Sequence, residues 1–308
     1  LRGIINKYGE ILTKSKHALI LALLCIIVWS FMPLVSKLAN ESIGLLSFLL
    51  LSNLLSAGVI LAYVGTAPIK GFRAEFKKTA FKTMPLGFLG GFFFYLCLYY
   101  AYSKANGITV LVAQYLWPIL IVLLSVLFLN ERLNFHKGVA CGLGFLGVVV
   151  VVSKGNFSQL EAGNLQAVAV AVVGALAFAA FSVFSKKLAA NPLISTLQCF
   201  IWASLFSFTA LVLFGKFELP RTGAGWAVVI VNGAVINGLS YVWWLKALAL
   251  EEASKIAPLV FLTPILACVW LVLFFNEAFL PVYAVGIVAC IASGLLASKK
   301  DTIPRYHT

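Results

Sequence analysis

QYLWPILIVLLSVLFLNE at residues 114–131 and FLTPILACVWLVLFFNE at residues 261–277 decide the fold. Each places a proline near its start, runs through an apolar stretch and closes on Asn-Glu. A shift of 146 residues superposes them. The same shift carries Gly87 onto Gly233, Tyr95 onto Tyr241, Ala101 onto Ala247 and Val139 onto Val285. Further out, a shift of 150 carries Phe31 onto Phe181 and Lys37-Leu38-Ala39 onto Lys187-Leu188-Ala189. Short deletions between the sixth and eighth apolar runs explain the difference of four. The chain is therefore a tandem repeat.

Both stretches are long enough to cross a bilayer. A helix spans a hydrocarbon core of ~30 Å with about 20 apolar residues. Ten runs of that kind fall at 18–37, 42–64, 82–103, 107–129, 135–153, 163–185, 192–214, 225–249, 255–275 and 280–298. Barrel strands would be ~10 residues long and alternate in polarity. Helices also satisfy their own backbone in lipid. The composition agrees: 62% hydrophobic and 11% charged residues exclude a soluble domain or a disordered chain. The fold class expected is an all-α integral membrane bundle of ten helices. Its parts are an N-terminal interfacial segment at 1–16, a first five-helix repeat at 17–155, a second at 163–298 and a tail at 299–308. Leu1, Ile4, Ile5, Tyr8, Ile11 and Leu12 share one helical face of that first segment. The first run carries Pro33, is too long for a signal-peptide core and is read as a retained helix.

Five helices per repeat is an odd number, so the second repeat enters the membrane upside down. Inverted repeats are typical of secondary transporters, with substrate held near the midplane. Numbering the loops alternately puts 18 of the 23 Lys and Arg on the side that bears both termini. That bias places both termini in the cytoplasm. The net charge of +13 is thus a topology signal, not a sign of nucleic-acid binding. The setting expected is a plasma membrane, specifically a bacterial inner membrane.

Ten helices in a five-plus-five repeat, with the proline, apolar stretch and terminal Glu in both halves, resemble the EamA family of the drug/metabolite transporter superfamily. The resemblance covers about residues 18–298. Tyr115-Leu116-Trp117-Pro118 is also similar to bacterial aromatic amino-acid exporters. The resemblance implies transport of a small molecule, with an amino acid or related compound as substrate, no cofactor and no enzymatic activity. Smaller members of the superfamily use a Glu in the first helix as proton carrier, and the first run here has none.

Candidate substrate-binding residues follow from polar and aromatic groups inside the spans. Pro118 denies the Gln114 carbonyl its helical partner, and Pro264 does the same to Val260. Both prolines are read as hinges, or else as packed kinks. Gln114 adds an amide at that level, and Trp117 sits beside it. Tyr95, Tyr99 and Tyr102 share one face of the third run; Asn237, Tyr241 and Trp244 share one face of the eighth. Tyr95, Asn237 and Tyr241 are read as cavity-lining, since small-molecule sites are apolar pockets with a few convergent polar groups. Tyr99, Tyr102 and Trp244 approach the helix ends, where an aromatic belt is the alternative. Lys246 is either a snorkelling lysine or an anion-binding group at the cavity floor. Trp29, Ser30, Asn53, Ser182 and Trp202 are further polar or aromatic candidates inside the spans, with helix packing the favoured role for each. Gly138 with Gly142, and Gly286 with Cys290 and Gly294, are read as helix contacts.

No Asp or Glu lies in the middle of a run, so a central carboxylate proton carrier is not expected. Glu131 and Glu277 are helix-end residues that pair in the loops. All six cysteines fall within spans without metal-ligand spacing, so no metal is expected. The three histidines lie in tails or a loop, which argues against an intramembrane enzyme. A channel's selectivity-filter loop or charged ring is not visible. Export of an amino acid or related compound is the expected activity, with uptake as the alternative, because alternating access is reversible. A ten-helix chain contains both halves and works as a monomer or a homodimer in the bilayer.

Overall fold

A computed structural model describes residues 2–32, 43–66, 69–105, 107–160, 164–275 and 280–297. Among them there is no strand. Among the described residues nine helices are long and apolar enough to span a membrane. They are α1 (Arg2–Ser30, its apolar part Thr13–Ser30), α2 (Leu45–Thr66), α3 (Met84–Lys104), α4 (Gly107–Leu129), α5 (Phe135–Val152), α6 (Leu165–Leu188), α7 (Pro192–Phe214), α8 (Gly223–Leu250) and α9, whose apolar window is Ala253–Trp270. The tenth, α10 (Pro281–Ala297), is apolar but only 17 residues long. A short amphipathic helix, Phe72–Thr79, joins α2 to α3.

The N-terminal segment is not a separate element, since α1 runs unbroken from Arg2 to Ser30. The matches at Lys37, the closing Asn276-Glu277 and the tail at 299–308 lie outside the described residues, as do the side chains of the amphipathic face at 1–12.

Helix contacts exchange when the two repeats are exchanged. α2 packs on α8, and its mate α7 packs on α3. α1 packs on α8, and α6 on α3. α6 packs on α4, and α1 on α9. Two pairs map onto themselves, α2 with α7 and α5 with α10, so they straddle the pseudo-two-fold axis. Repeat mates touch there: the Cys290 thiol donates to the Gly144 carbonyl at 3.6 Å, 146 residues away.

Burial is inverted relative to a soluble protein. Leu127, Leu165 and Leu295 are exposed on the outer surface, while Ser52, Asn53, Ser125 and Ser182 are fully buried. Lipid is as apolar as leucine, so helices associate through close packing and interhelical hydrogen bonds. Where α5 packs on α9 and α10, a Cβ on Gly144 would sit 2.2 Å from the Phe261 ring of α9, and one on Gly286 of α10 would sit 2.0 Å from Val151. Gly138 and Gly142 meet nothing within 4 Å, so α5 uses Gly144 and Gly147 instead. The two small-residue rows are on different faces of the same helix.

Two irregularities recur in both repeats. α3 widens to a π-helix over Phe88–Phe93, and α8 does so over Asn232–Leu239. The 146-residue shift carries 88–93 onto 234–239, within the second π segment. α4 breaks at Tyr115-Leu116, before Pro118. α9 passes through a 3-10 stretch, Ala257–Phe261, and regains α geometry at Leu262, before Pro264. The same shift carries Leu116 onto Leu262. Proline therefore re-forms both helices at equivalent points, having no N–H to give to the turn before it.

Candidate functional site

The π segment of α3 packs against α6 and α7, and that of α8 against α1 and α2. A π turn displaces carbonyls from their helical donors, and buried carbonyls need partners. Side chains from other helices supply them. The Tyr241 hydroxyl donates to Gly90 O at 3.1 Å, and Asn53 Nδ2 donates to Gly91 O at 3.2 Å. Trp29 Nε1 donates to Ile236 O at 3.2 Å, and Ser56 Oγ donates to Gly233 O at 2.7 Å. Gly90 and Ile236 are repeat mates, so the device is duplicated across the axis.

Tyr95 and Tyr241 close this arrangement. Their hydroxyls lie 3.2 Å apart, and the Tyr95 hydroxyl also lies 2.9 Å from Asn237 Oδ1. Both tyrosines and Asn237 are buried. Sequence spacing had brought these three together, and the fold does so.

Beside them lies a cavity of about 410 Å³. Its wall is mostly aromatic: Trp29, Tyr95, Tyr99, Trp117, Phe178 and Tyr241. Trp117 packs on Phe178 with ring centroids 4.8 Å apart and on Trp29 at 6.0 Å. Polar groups enter at Gln114 and Thr263, and among the described residues no charged one lines this cavity. Gln114 and Val260 both stand in the wall; Pro118 and Pro264 deny their carbonyls the donor four residues on, and the Val260 carbonyl takes the Leu262 N–H instead. The void continues past Tyr102 and Leu111 into a second space of about 320 Å³, which reaches Gly107 and Lys154. It therefore extends toward the face opposite the start of α1. Toward the face where α1 starts, Trp244 stands behind Trp29 and Trp117.

Five of the sequence candidates, Tyr95, Tyr99, Gln114, Trp117 and Tyr241, line the cavity. Asn237 and Trp244 do not; they form the layer behind it. Asn237 meets Tyr95, and Trp244 Nε1 donates to Ser182 Oγ at 3.0 Å. Lys246 is exposed, outside the cavity wall, so its place is not the cavity floor. The eighth helix turns Tyr241 and Trp244 inward, and position 246 falls on the opposite side. Pro118 and Pro264 sit at the helix breaks as described, and Pro264 lines the second space. Trp29, assigned to packing, lines both spaces and also packs. Tyr102 and Tyr115 line both as well. Ser30, Asn53 and Trp202 lie elsewhere, in interhelical hydrogen bonds. Thr263 and Phe178 were missed: a single hydroxyl or phenyl in an apolar run carries no spacing signal.

At the other face the helix ends are clasped by ions. Asn130, at φ 55°, ends α4 and releases Glu131. The Glu131 carboxylate accepts from the backbone N–H of Ala253 (2.8 Å) and of Ser254 (2.9 Å), and from Lys186 Nζ at 3.0 Å. Burial alone would raise the Glu131 pKa, but the Lys186 ammonium and the donors of Ser254 and Ala253 outweigh it and hold it below the usual carboxylate value. Lys137, 1% exposed, donates to Glu252 at 2.8 Å and to Arg132 O at 2.9 Å. Among the described residues no group of His, Cys, Asp and Glu is arranged to hold a metal, and the six cysteines are free thiols.

An all-helical two-repeat bundle with an aromatic cavity on its pseudo-axis defines a membrane transporter of the repeat type. The profile of the EamA-like transporter family matches residues 16–153 and again 165–299, and the chain belongs to that family. It is similar to the transporter YetK of Bacillus subtilis strain 168, at 28% identity over 255 residues, 79% of this chain and 75% of that one. It is similar to the aromatic amino acid exporter YddG of Ancylobacter novellus, at 27% identity over 190 residues, 60% of this chain and 64% of that one. The S-adenosylmethionine uptake transporter of Rickettsia felis is 26% identical over 211 residues, 68% of this chain and 69% of that one. A solved crystal structure shares the fold with a TM-score of 0.79 at 19% identity, covering 91% of this chain and 96% of the other.

Proposed function

We propose that this transporter exports an amino acid or a related small metabolite by alternating access. The observation that carries the reading is the cavity of about 410 Å³ on the pseudo-axis, walled by aromatic rings and, among the described residues, bare of charged side chains. Such a wall suits a compound without net charge that presents an apolar or planar body. A zwitterionic amino acid meets that description, and its ammonium finds aromatic faces and the carbonyls at the proline breaks. One relative is named for aromatic amino acid export, which favours this class.

Tyr95, Tyr99, Gln114, Trp117 and Tyr241 contact substrate, while Asn237 and Trp244 hold the wall. Pro118 and Pro264 act as the hinges. The Lys- and Arg-rich face is cytoplasmic, with both termini there, in a bacterial inner membrane. The described spans hold no carboxylate at mid-depth, which supports facilitated movement or exchange rather than proton coupling. Uptake by the same fold is the second reading, favoured by the relative named for S-adenosylmethionine uptake.

A thermal-stabilisation screen of the purified protein against amino acids, polyamines, nucleosides and vitamins tests the class. Stabilisation by amino acids, lost on Tyr95→Ala or Trp117→Ala, supports it. Stabilisation only by polyamines or nucleosides overturns it. In proteoliposomes, strict dependence of flux on a pH gradient would sink the uncoupled reading.

A further inference from the structure

Hydroxyls in membrane helices usually return to a carbonyl three or four residues back, as Ser125 does to Val122 and Ser182 to Phe178. Thr263 does not. Its Oγ1 is buried and without a partner, and the residue is 5% exposed. The backbone explains why. The turn before it, Ala257–Phe261, is 3-10 and moves the carbonyls away from the places an α-helix would offer. Five buried side-chain polar atoms lack a partner among the described residues, and Thr263 Oγ1 alone belongs to a residue of the cavity wall. Threonine in a helix has two accessible χ1 wells, and the residue that carries this unpartnered hydroxyl stands in the cavity wall.

Gln114 is the other polar side chain of that wall besides the tyrosines. The repeat mate of Gln114 is Val260, and the mate of Thr263 is Trp117. The polar member of one pair and the polar member of the other thus come from opposite repeats and meet in one cavity. Among the described residues no charged donor lines the cavity, and Lys246 is outside it.

We propose that Thr263 and Gln114 form the carboxylate-binding end of the site. The Thr263 hydroxyl and the Gln114 amide N–H donate to the substrate carboxylate, and the side chain of the amino acid lies against Trp29 and Trp117. The inference rests on the amino-acid reading above. It makes Thr263 a specificity-determining residue that favours α-amino acids over amines lacking the carboxylate.

The test compares L-phenylalanine with 2-phenylethylamine, which differ by that carboxylate, in equilibrium binding to the purified full chain. Thr263→Val keeps the shape and removes the hydroxyl. The expected result is a loss of roughly 10- to 100-fold in affinity for L-phenylalanine with no matching loss for the amine. Thr263→Ser is expected to bind both as the native protein does. Equal loss for both ligands, or no loss for either, overturns the inference while leaving the amino-acid reading in place. Failure of the native protein to bind L-phenylalanine or any other amino acid in the screen overturns both. If Thr263→Val does not fold, Gln114→Leu carries the same comparison.

Discussion

Tyr95 and Tyr241 are 146 residues apart, occupy equivalent positions in the two repeats, and place their hydroxyls 3.2 Å from each other. Repeat mates in contact must lie on the axis that relates the repeats. Each phenol has one proton, yet the pair makes three contacts, to Asn237, to each other and to Gly90 O. All three are satisfied only if the Asn237 amide N–H donates to Tyr95, Tyr95 to Tyr241, and Tyr241 to Gly90. That order needs the Asn237 amide turned so that nitrogen faces Tyr95. Tyr241→Phe then strands the Gly90 carbonyl and destabilises the protein by about 1–3 kcal/mol. Tyr95→Phe breaks the same chain one link earlier. Thermal melts of both single variants and the double should show losses that do not add. Additive losses would mean the chain does not act as a unit.

The packing of α5 on α9 and α10 separates two kinds of glycine. Gly144→Ala drives a Cβ into the Phe261 ring, and Gly286→Ala drives one into Val151. Overpacking of that kind costs about 1–3 kcal/mol. Gly138→Ala and Gly142→Ala meet open space. They should be neutral, or stabilising by up to ~1 kcal/mol from helix propensity. Melting temperatures in one detergent read the contrast directly.

How much of this was legible in the sequence differs from residue to residue. The spans were, because ~20 apolar residues in a row have few other uses. The repeat was, because proline, Asn-Glu and tyrosine at fixed offsets are rare coincidences among apolar residues. Tyr95 and Tyr241 converge because a repeat mate predicts its partner's place. The π segments were not legible: FLGGFF and NGAVINGL carry no residue type that demands the extra residue per turn. Which face of α5 packs was misread, since small residues four apart occur on two of its faces. Lys246 was placed by depth alone, and depth says nothing about rotation around the helix. Thr263 was invisible because its chemistry depends on a 3-10 turn that precedes it.

Lys246 gives a further test. Its exposed side chain stands outside the cavity wall. Lys246→Met should leave binding and transport of an amino acid unchanged within about twofold, since surface changes away from a site fall within ±0.5 kcal/mol. A loss beyond tenfold in binding would place this lysine in the substrate's path.

Glu131 ties the end of α4 to the start of α9 and to Lys186 at the end of α6. Its folded pKa is held below the unfolded value near 4.5. A depressed carboxylate contributes stability that is fully present above the unfolded pKa and is lost as pH falls through the folded one. Glu251 is shifted the same way: burial raises its pKa, but the Ser15 hydroxyl, the Glu252 N–H and Lys255 lower it further. Melting temperature should therefore hold steady from pH 7 to about pH 5 and drop below about pH 4.5. Glu131→Gln removes the charge that meets Lys186 and keeps an acceptor oxygen for only one of the two backbone N–H groups, which donate to different carboxylate oxygens. It should lower stability at pH 7 and flatten the acid limb of the profile. A Glu131→Gln variant whose melting temperature falls as steeply below pH 4.5 as the native protein's would show that other carboxylates set the acid limit.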